Sequence, residues 1–159
     1  MPKFGETMNA HSFLSRNFHS SRVRLAAIVL LALAWNSPAF CSPLEKAIKK
    51  GDLEQVKALI EADPHLISKN PLADAALYCK KDIAEYLISQ HAEIDHRDFL
   101  GLTPLFNAAS TDCVAVAQVL LVNGANPNAK NKTGETVLWW ANSSRSPHVA
   151  DVLRLFGAK

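Results

Sequence analysis

Three six-residue strings return along this chain at equal steps. Pro71-Leu72-Ala73-Asp74-Ala75-Ala76, Pro104-Leu105-Phe106-Asn107-Ala108-Ala109 and Val137-Leu138-Trp139-Trp140-Ala141-Asn142 each stand 33 residues from the next. Pro43-Leu44-Glu45-Lys46-Ala47-Ile48 is a fourth copy, 28 residues ahead of Pro71, and it is short by the five residues that would form a loop tip. A fixed step of this size marks stacked supersecondary units, none of which can bury its apolar face alone. Each copy goes on to the apolar stripe of a second helix: Val56 with Leu59-Ile60, Ile83 with Leu87-Ile88, Val116 with Leu120-Leu121, and Val149 with Leu153. His91-Ala92, Gly124-Ala125 and Gly157-Ala158 close the last three copies.

Local chemistry agrees with helix–turn–helix units. Thr103 is placed to cap a first helix, and Pro104 sits at its first position, where a missing N–H costs nothing. Ser146-Pro147 repeats that device at the last second helix, and Asp52 with Gln55 resembles a capping box in the first copy. Gly124 and Gly157 suit a left-handed helix stop. Asp98–Leu102 and Asn131–Glu135 read as hairpin tips, turned at Gly101 and Gly134. Small Ala108 and Ala109 let neighbouring helices approach closely. Lys46, Lys49, Lys50, Glu54 and Lys57 give the first copy the polar surface of an end cap.

The third copy runs Gly101, Thr103-Pro104-Leu105, Ala108-Ala109, then Val119-Leu120-Leu121, Gly124-Ala125 and Asn128. This resembles the ankyrin repeat, whose pattern is G-x-T-P-L-H-x-A-A followed by V-x-x-L-L-x-x-G-A-x-x-N. The resemblance covers residues 43–159. It implies an all-α solenoid of stacked helix–turn–helix units with β-hairpin-like tips, in copies at about 43–70, 71–103, 104–136 and 137–159. Leu72, Leu105 and Leu138 should then occupy equivalent buried sites in successive layers. Two departures stand out. Glu45, Ala73, Phe106 and Trp139 replace the family histidine, and Phe106 and Trp139 are expected to pack on each other in its stead. Cys79, Asp112 and Arg145 replace the glycine between the helices, which strains those turns.

Residues 1–41 read differently. Lys3, Arg16, Arg22 and Arg24 against Glu6 make a basic region over 1–24, and Leu25–Trp35 is an uncharged apolar run. Small residues at Ala39 and Cys41 then suit cleavage before Ser42. That is the three-part pattern of a secretory signal peptide, so the mature domain is expected at 42–159, periplasmic or secreted. An organelle transit peptide, a lipid anchor on Cys41 and a start at Met8 are the other readings. A run this short spans about 16 Å as helix against a hydrocarbon core of ~30 Å, so no stable membrane span is expected after cleavage. From Ser42 onward there are 13 Lys and Arg against 14 Asp and Glu, and no basic stripe, so nucleic acid is not an expected partner.

No catalytic signature is present: no G-x-S-x-G elbow, H-E-x-x-H helix or phosphate-cradling glycine loop. No cofactor is expected. His91, Glu93, Asp95, His96 and Asp98 form a dense polar cluster, read as the solvent face of a loop rather than metal ligands. Cys79 and Cys113 lie in adjacent copies, one column apart. Packed helices stand about 8–10 Å apart, while a bridge needs Cα atoms within about 7 Å, so two half-buried thiols are favoured, with a disulfide kept open by oxidising export conditions.

What remains is a binding surface. The resemblance implies a non-catalytic protein–protein interaction module, monomeric on its own, that holds a partner on its hairpin tips and the concave face of its first helices. The residues in those columns are Leu77 and Tyr78; Phe99, Leu100 and Leu102; Ser110 and Thr111; Lys132 and Glu135; and Ser143 and Ser144. Phe99, Leu100 and Leu102 make an apolar tip, which is an anomaly on a soluble monomer unless it folds back on its neighbours. An inhibitor or immunity protein blocking a toxic enzyme, a secreted effector, and an enzyme or metal protein built on the 91–98 cluster are the alternatives.

Overall fold

The computed structural model describes residues 42–159, and the signal peptide expected over residues 1–41 lies outside them. Among the described residues eight α-helices pair off in chain order: α1 (Pro43–Lys50) with α2 (Leu53–Ala62), α3 (Pro71–Leu77) with α4 (Lys81–Ser89), α5 (Pro104–Ser110) with α6 (Val114–Val122), and α7 (Val137–Ser143) with α8 (Pro147–Leu155). A 3-10 segment, Pro64–Lys69, follows α2 in place of a hairpin. The first helices α1, α3, α5 and α7 stack on one another, and the second helices stack behind them. None of these helices is long and apolar enough to cross a membrane.

The helix ends are built by short-range chemistry that repeats with the copies. Proline opens α1, α3, α5 and α8. Ser42, Asp52 and Thr136 accept the third N–H of their helices from Glu45, Gln55 and Trp139 at 3.0–3.1 Å. The first helices stop identically: Asp52, Lys80, Cys113 and Ser146 each donate to the carbonyl five residues back, at Ala47, Ala75, Ala108 and Ala141. That closure needs a left-handed residue just before the donor, and Gly51, Cys79, Asp112 and Arg145 all have φ between 52° and 80°. Three of these are not glycine, so each carries backbone strain. His91, Gly124 and Gly157 do the same for the second helices, at φ 63°, 95° and 85°.

Caps read from sequence are corrected at two places. Thr103 makes no capping bond to α5; its hydroxyl is buried without a partner. Ser146 does not cap α8 either. The α8 N-terminus is instead served from the neighbouring copy, as described below.

The core is the set of columns that meet between layers. Ala47, Ala75, Ala108 and Ala141 are fully buried, and so are Leu87, Leu120 and Leu153 behind them. Alanine in that column lets first helices approach closely, while leucines fill the space between second helices. Leu44, Leu72 and Leu105 are buried, but Leu138 is only half-buried. Leu138 lies in the last layer of the described residues.

Candidate partner-binding surface

Both tips are Asx-type turns at equivalent positions. Asp98 accepts the Leu100 and Leu102 N–H groups at 2.8 Å, while its own N–H donates to the Leu102 carbonyl at 3.0 Å. Asn131 repeats the pattern 33 residues on, accepting from Thr133 and Glu135 and donating to the Glu135 carbonyl. Gly101 and Gly134 supply the positive φ these turns require. The tips then join: the Lys132 N–H donates to the Leu100 carbonyl at 3.0 Å, and Arg97 Nη1 donates to the Lys130 carbonyl at 2.8 Å.

On this rigid base Phe99 is 80% exposed and Leu100 50% exposed, while Leu102 is half-buried. The structure therefore separates the expected apolar trio: two residues face outward and the third secures the turn. Lys132 is exposed beside them. Glu135 is half-buried and accepts from Asn131 Nδ2 and Thr133 Oγ1, so its carboxylate holds the second tip together.

The other expected positions lie at the ends of the first helices. Leu77 is exposed. Tyr78 is half-buried, donates its hydroxyl to Glu45 at 3.3 Å and carries Lys49 over its ring. Ser110 and Thr111 donate their hydroxyls to their own helix, at the Phe106 and Asn107 carbonyls. Ser143 and Ser144 are exposed. Ser110 also accepts the Trp140 indole N–H at 2.8 Å, which binds the third layer to the fourth.

The expected ring pair is corrected. Phe106 packs edge-on against Trp140 at 5.9 Å between centroids, not against Trp139. Being one position further along α7, the Trp140 ring is the one that reaches Phe106 and the Ser110 hydroxyl. Trp139 is 50% exposed, tilted against Trp140 at 6.4 Å.

The cysteine expectation is also overturned. Cys79 and Cys113 form a disulfide, with Cα atoms 5.5 Å apart. Cys79 is exposed and Cys113 is buried. The helix-spacing argument does not apply, because both residues sit in inter-helix turns. The left-handed residue of each turn faces the start of the second helix in the next copy. Asp112 meets Val149 in this way, and a Cβ placed on Gly51 would stand 3.3 Å from Lys80 Nζ. The one-column offset is what brings the two sulfurs together.

In the polar loop the carboxylates have structural tasks. Asp95 accepts the Asn126 N–H at 3.1 Å, Asp98 builds the first tip, and Glu93 pairs with His96 Nδ1 at 2.9 Å. Asp74, half-buried on α3, has its carboxyl pushed up to about 6, first by burial and then by the charge of Glu45.

A family model described as ankyrin repeats (3 copies) matches residues 44–131 and again 72–158. The chain belongs to the ankyrin-repeat family. Among its relatives is Ankyrin repeat and SOCS box protein 11 of Mus musculus, 32% identical over 102 residues, covering 61% of this chain and 31% of the relative. A putative ankyrin repeat protein of Rickettsia felis is 33% identical over 88 residues, covering 52% and 23%. Neurogenic locus notch homolog protein 1 of Homo sapiens is 41% identical over 71 residues, covering 45% and 3%. This ankyrin-repeat chain thus spans less than a third of the length of each of these relatives. As an ankyrin-repeat domain it is a protein–protein interaction module.

Proposed function

We propose that this ankyrin-repeat chain is an exported, non-catalytic binder that holds a partner protein on its hairpin tips. The observation that carries the reading is the exposed Phe99-Leu100 pair on a tip braced by Asp98 and by the neighbouring tip. Interface hot spots are aromatic anchors on rigid supports, ringed by polar groups. A preformed support of this kind loses little entropy on binding. Action outside the cytoplasm draws support from the leader pattern and from the Cys79–Cys113 disulfide, a bond that persists in oxidising compartments.

The test is capture from the native envelope fraction on immobilised protein, read by mass spectrometry. Phe99→Ala with Leu100→Ala should abolish capture of the specific partner and leave helical circular dichroism unchanged. Both side chains lie outside the core, so the double variant keeps the fold. Capture by the double variant at wild-type level would refute the tip as the binding site.

A further inference from the structure

Neighbouring tips in this protein are joined by a repeating set of bonds. An oxygen of Asp95 accepts the Asn126 N–H, and one copy later Asn128 Oδ1 accepts the Lys159 N–H. Arg97 donates to the Lys130 carbonyl, and the Lys132 N–H donates to the Leu100 carbonyl. One repeat earlier, the residues that would receive the same three contacts are Glu93, Arg97 and Phe99. The first copy is five residues short at this place and carries the 3-10 segment instead of a hairpin. Among the described residues, the Glu93 N–H, the Arg97 carbonyl and the Phe99 N–H therefore have no hydrogen-bond partner.

A cavity of about 640 Å³ lies between the 3-10 segment and the start of the second copy's loop. His65, His91 and His96 line it, above an apolar floor that includes Leu72. Glu93 is the only acid in its lining, and that carboxylate is already paired with His96. Asn70 lines it too, and its side-chain oxygen is buried without a partner. The lining thus joins imidazoles and an unpartnered acceptor to Glu93, whose N–H is the repeat equivalent of the Asn126 N–H that takes a side-chain oxygen.

We infer that this notch is a second binding site, which takes an extended, carboxylate-bearing segment of another protein in the place of the missing first tip. The segment's carboxylate meets the Glu93 N–H as Asp95 meets that of Asn126. Its main-chain carbonyl accepts from Phe99 as Leu100 accepts from Lys132. A donor of the segment reaches the Arg97 carbonyl or the Asn70 oxygen. Backbone pairing of this kind supplies affinity, while the cavity selects the charge. The inference rests on the reading of the chain as a protein binder.

The natural probe is the chain's own tip supplied in trans: a blocked synthetic peptide copying residues 93–103, titrated into the isotope-labelled full-length protein. Saturable amide shifts are expected at Glu93, Phe99 and the 3-10 segment. The peptide with its Asp95 counterpart changed to Asn should bind about tenfold more weakly, as should the protein variant His65→Glu, whose exposed site leaves folding intact. Absence of shifts at millimolar peptide overturns the inference. So do equal binding of the Asn peptide and equal perturbation by acetate alone. Self-association of the protein through these same amides would show the occupant to be a second copy, and would also overturn it. The titration needs no native partner: envelope capture without peptide binding rejects this inference and leaves the binder reading standing.

Discussion

Asp112, in the turn of the third copy, holds the start of α8 in the fourth. Its carboxylate accepts from His148 Nδ1 at 2.6 Å and from the Val149 N–H at 3.0 Å. The layer below thereby supplies the cap that Ser146 does not. Burial pushes the Asp112 carboxyl up, but the bonds from His148 and Val149 outweigh it and hold it below its usual range. The His148 imidazole is raised above 6.5 by its hydrogen bond to Asp112 and by that residue's charge.

The signs follow. A raised histidine contributes stability below its unfolded value and loses it as pH rises through the folded one. A lowered carboxyl contributes above its unfolded value and loses it as pH falls through the folded one. The pair therefore supports α8 most strongly between the ordinary carboxylate range and the raised midpoint of His148. Asp112→Asn keeps an acceptor for Val149 and tolerates the left-handed turn, but removes the charge. The His148 midpoint, followed by NMR, should drop toward 6.5. An unmoved midpoint would show that the pair is not formed in solution.

Asp74 works in the opposite direction. Its folded carboxyl titrates at about 6, above the unfolded value of 3.8, so its ionisation opposes folding. The opposition is full above pH 6 and fades as pH falls toward 4. Asp74→Asn should raise the urea midpoint at pH 7.5 and change it little at pH 4. Equal effects at the two pH values would contradict the burial argument.

The Cys79–Cys113 bridge closes a loop over a sequence separation of 34 and ties the second copy to the third. In the chain-entropy picture a loop of this size contributes roughly 4 kcal/mol. Reductant should lower the thermal midpoint of the wild type, while Cys79→Ser with Cys113→Ser should start low and be insensitive to reductant. Identical melts with and without reductant would exclude the bridge.

Arg145 is exposed at φ 57° and stands in the column where the first copy has Gly51. The left-handed conformation costs a non-glycine residue roughly 1 kcal/mol, and glycine's own entropy loss offsets about half of that. Arg145→Gly should therefore stabilise by about 0.5 kcal/mol in urea unfolding, and Arg145→Ala should not. A destabilised glycine variant would mean that the Arg145 side chain holds the turn.

The repeat period, the helix pairs and the turn glycines were all legible in the chain, because each depends on residues a few positions apart or on a column recurring at 33, whereas whether Phe99 faced outward or folded back was open until the structure. The Phe106–Trp139 pair and the thiols were misread because both depend on how one layer is seated on the next, to which column arithmetic has no access.

Sequence alone settled what kind of unit is repeated and that the units must stack, since alanine and leucine columns have nowhere else to be buried. Tertiary structure decided which groups meet across layers: Cys79 with Cys113, Asp112 with His148, Ser110 with Trp140. It also decided what stays open to solvent: the Trp139 ring and the notch beside His65. Contacts between layers are set by the rise and rotation from one copy to the next, and those emerge only when all the side chains between two layers are packed at once.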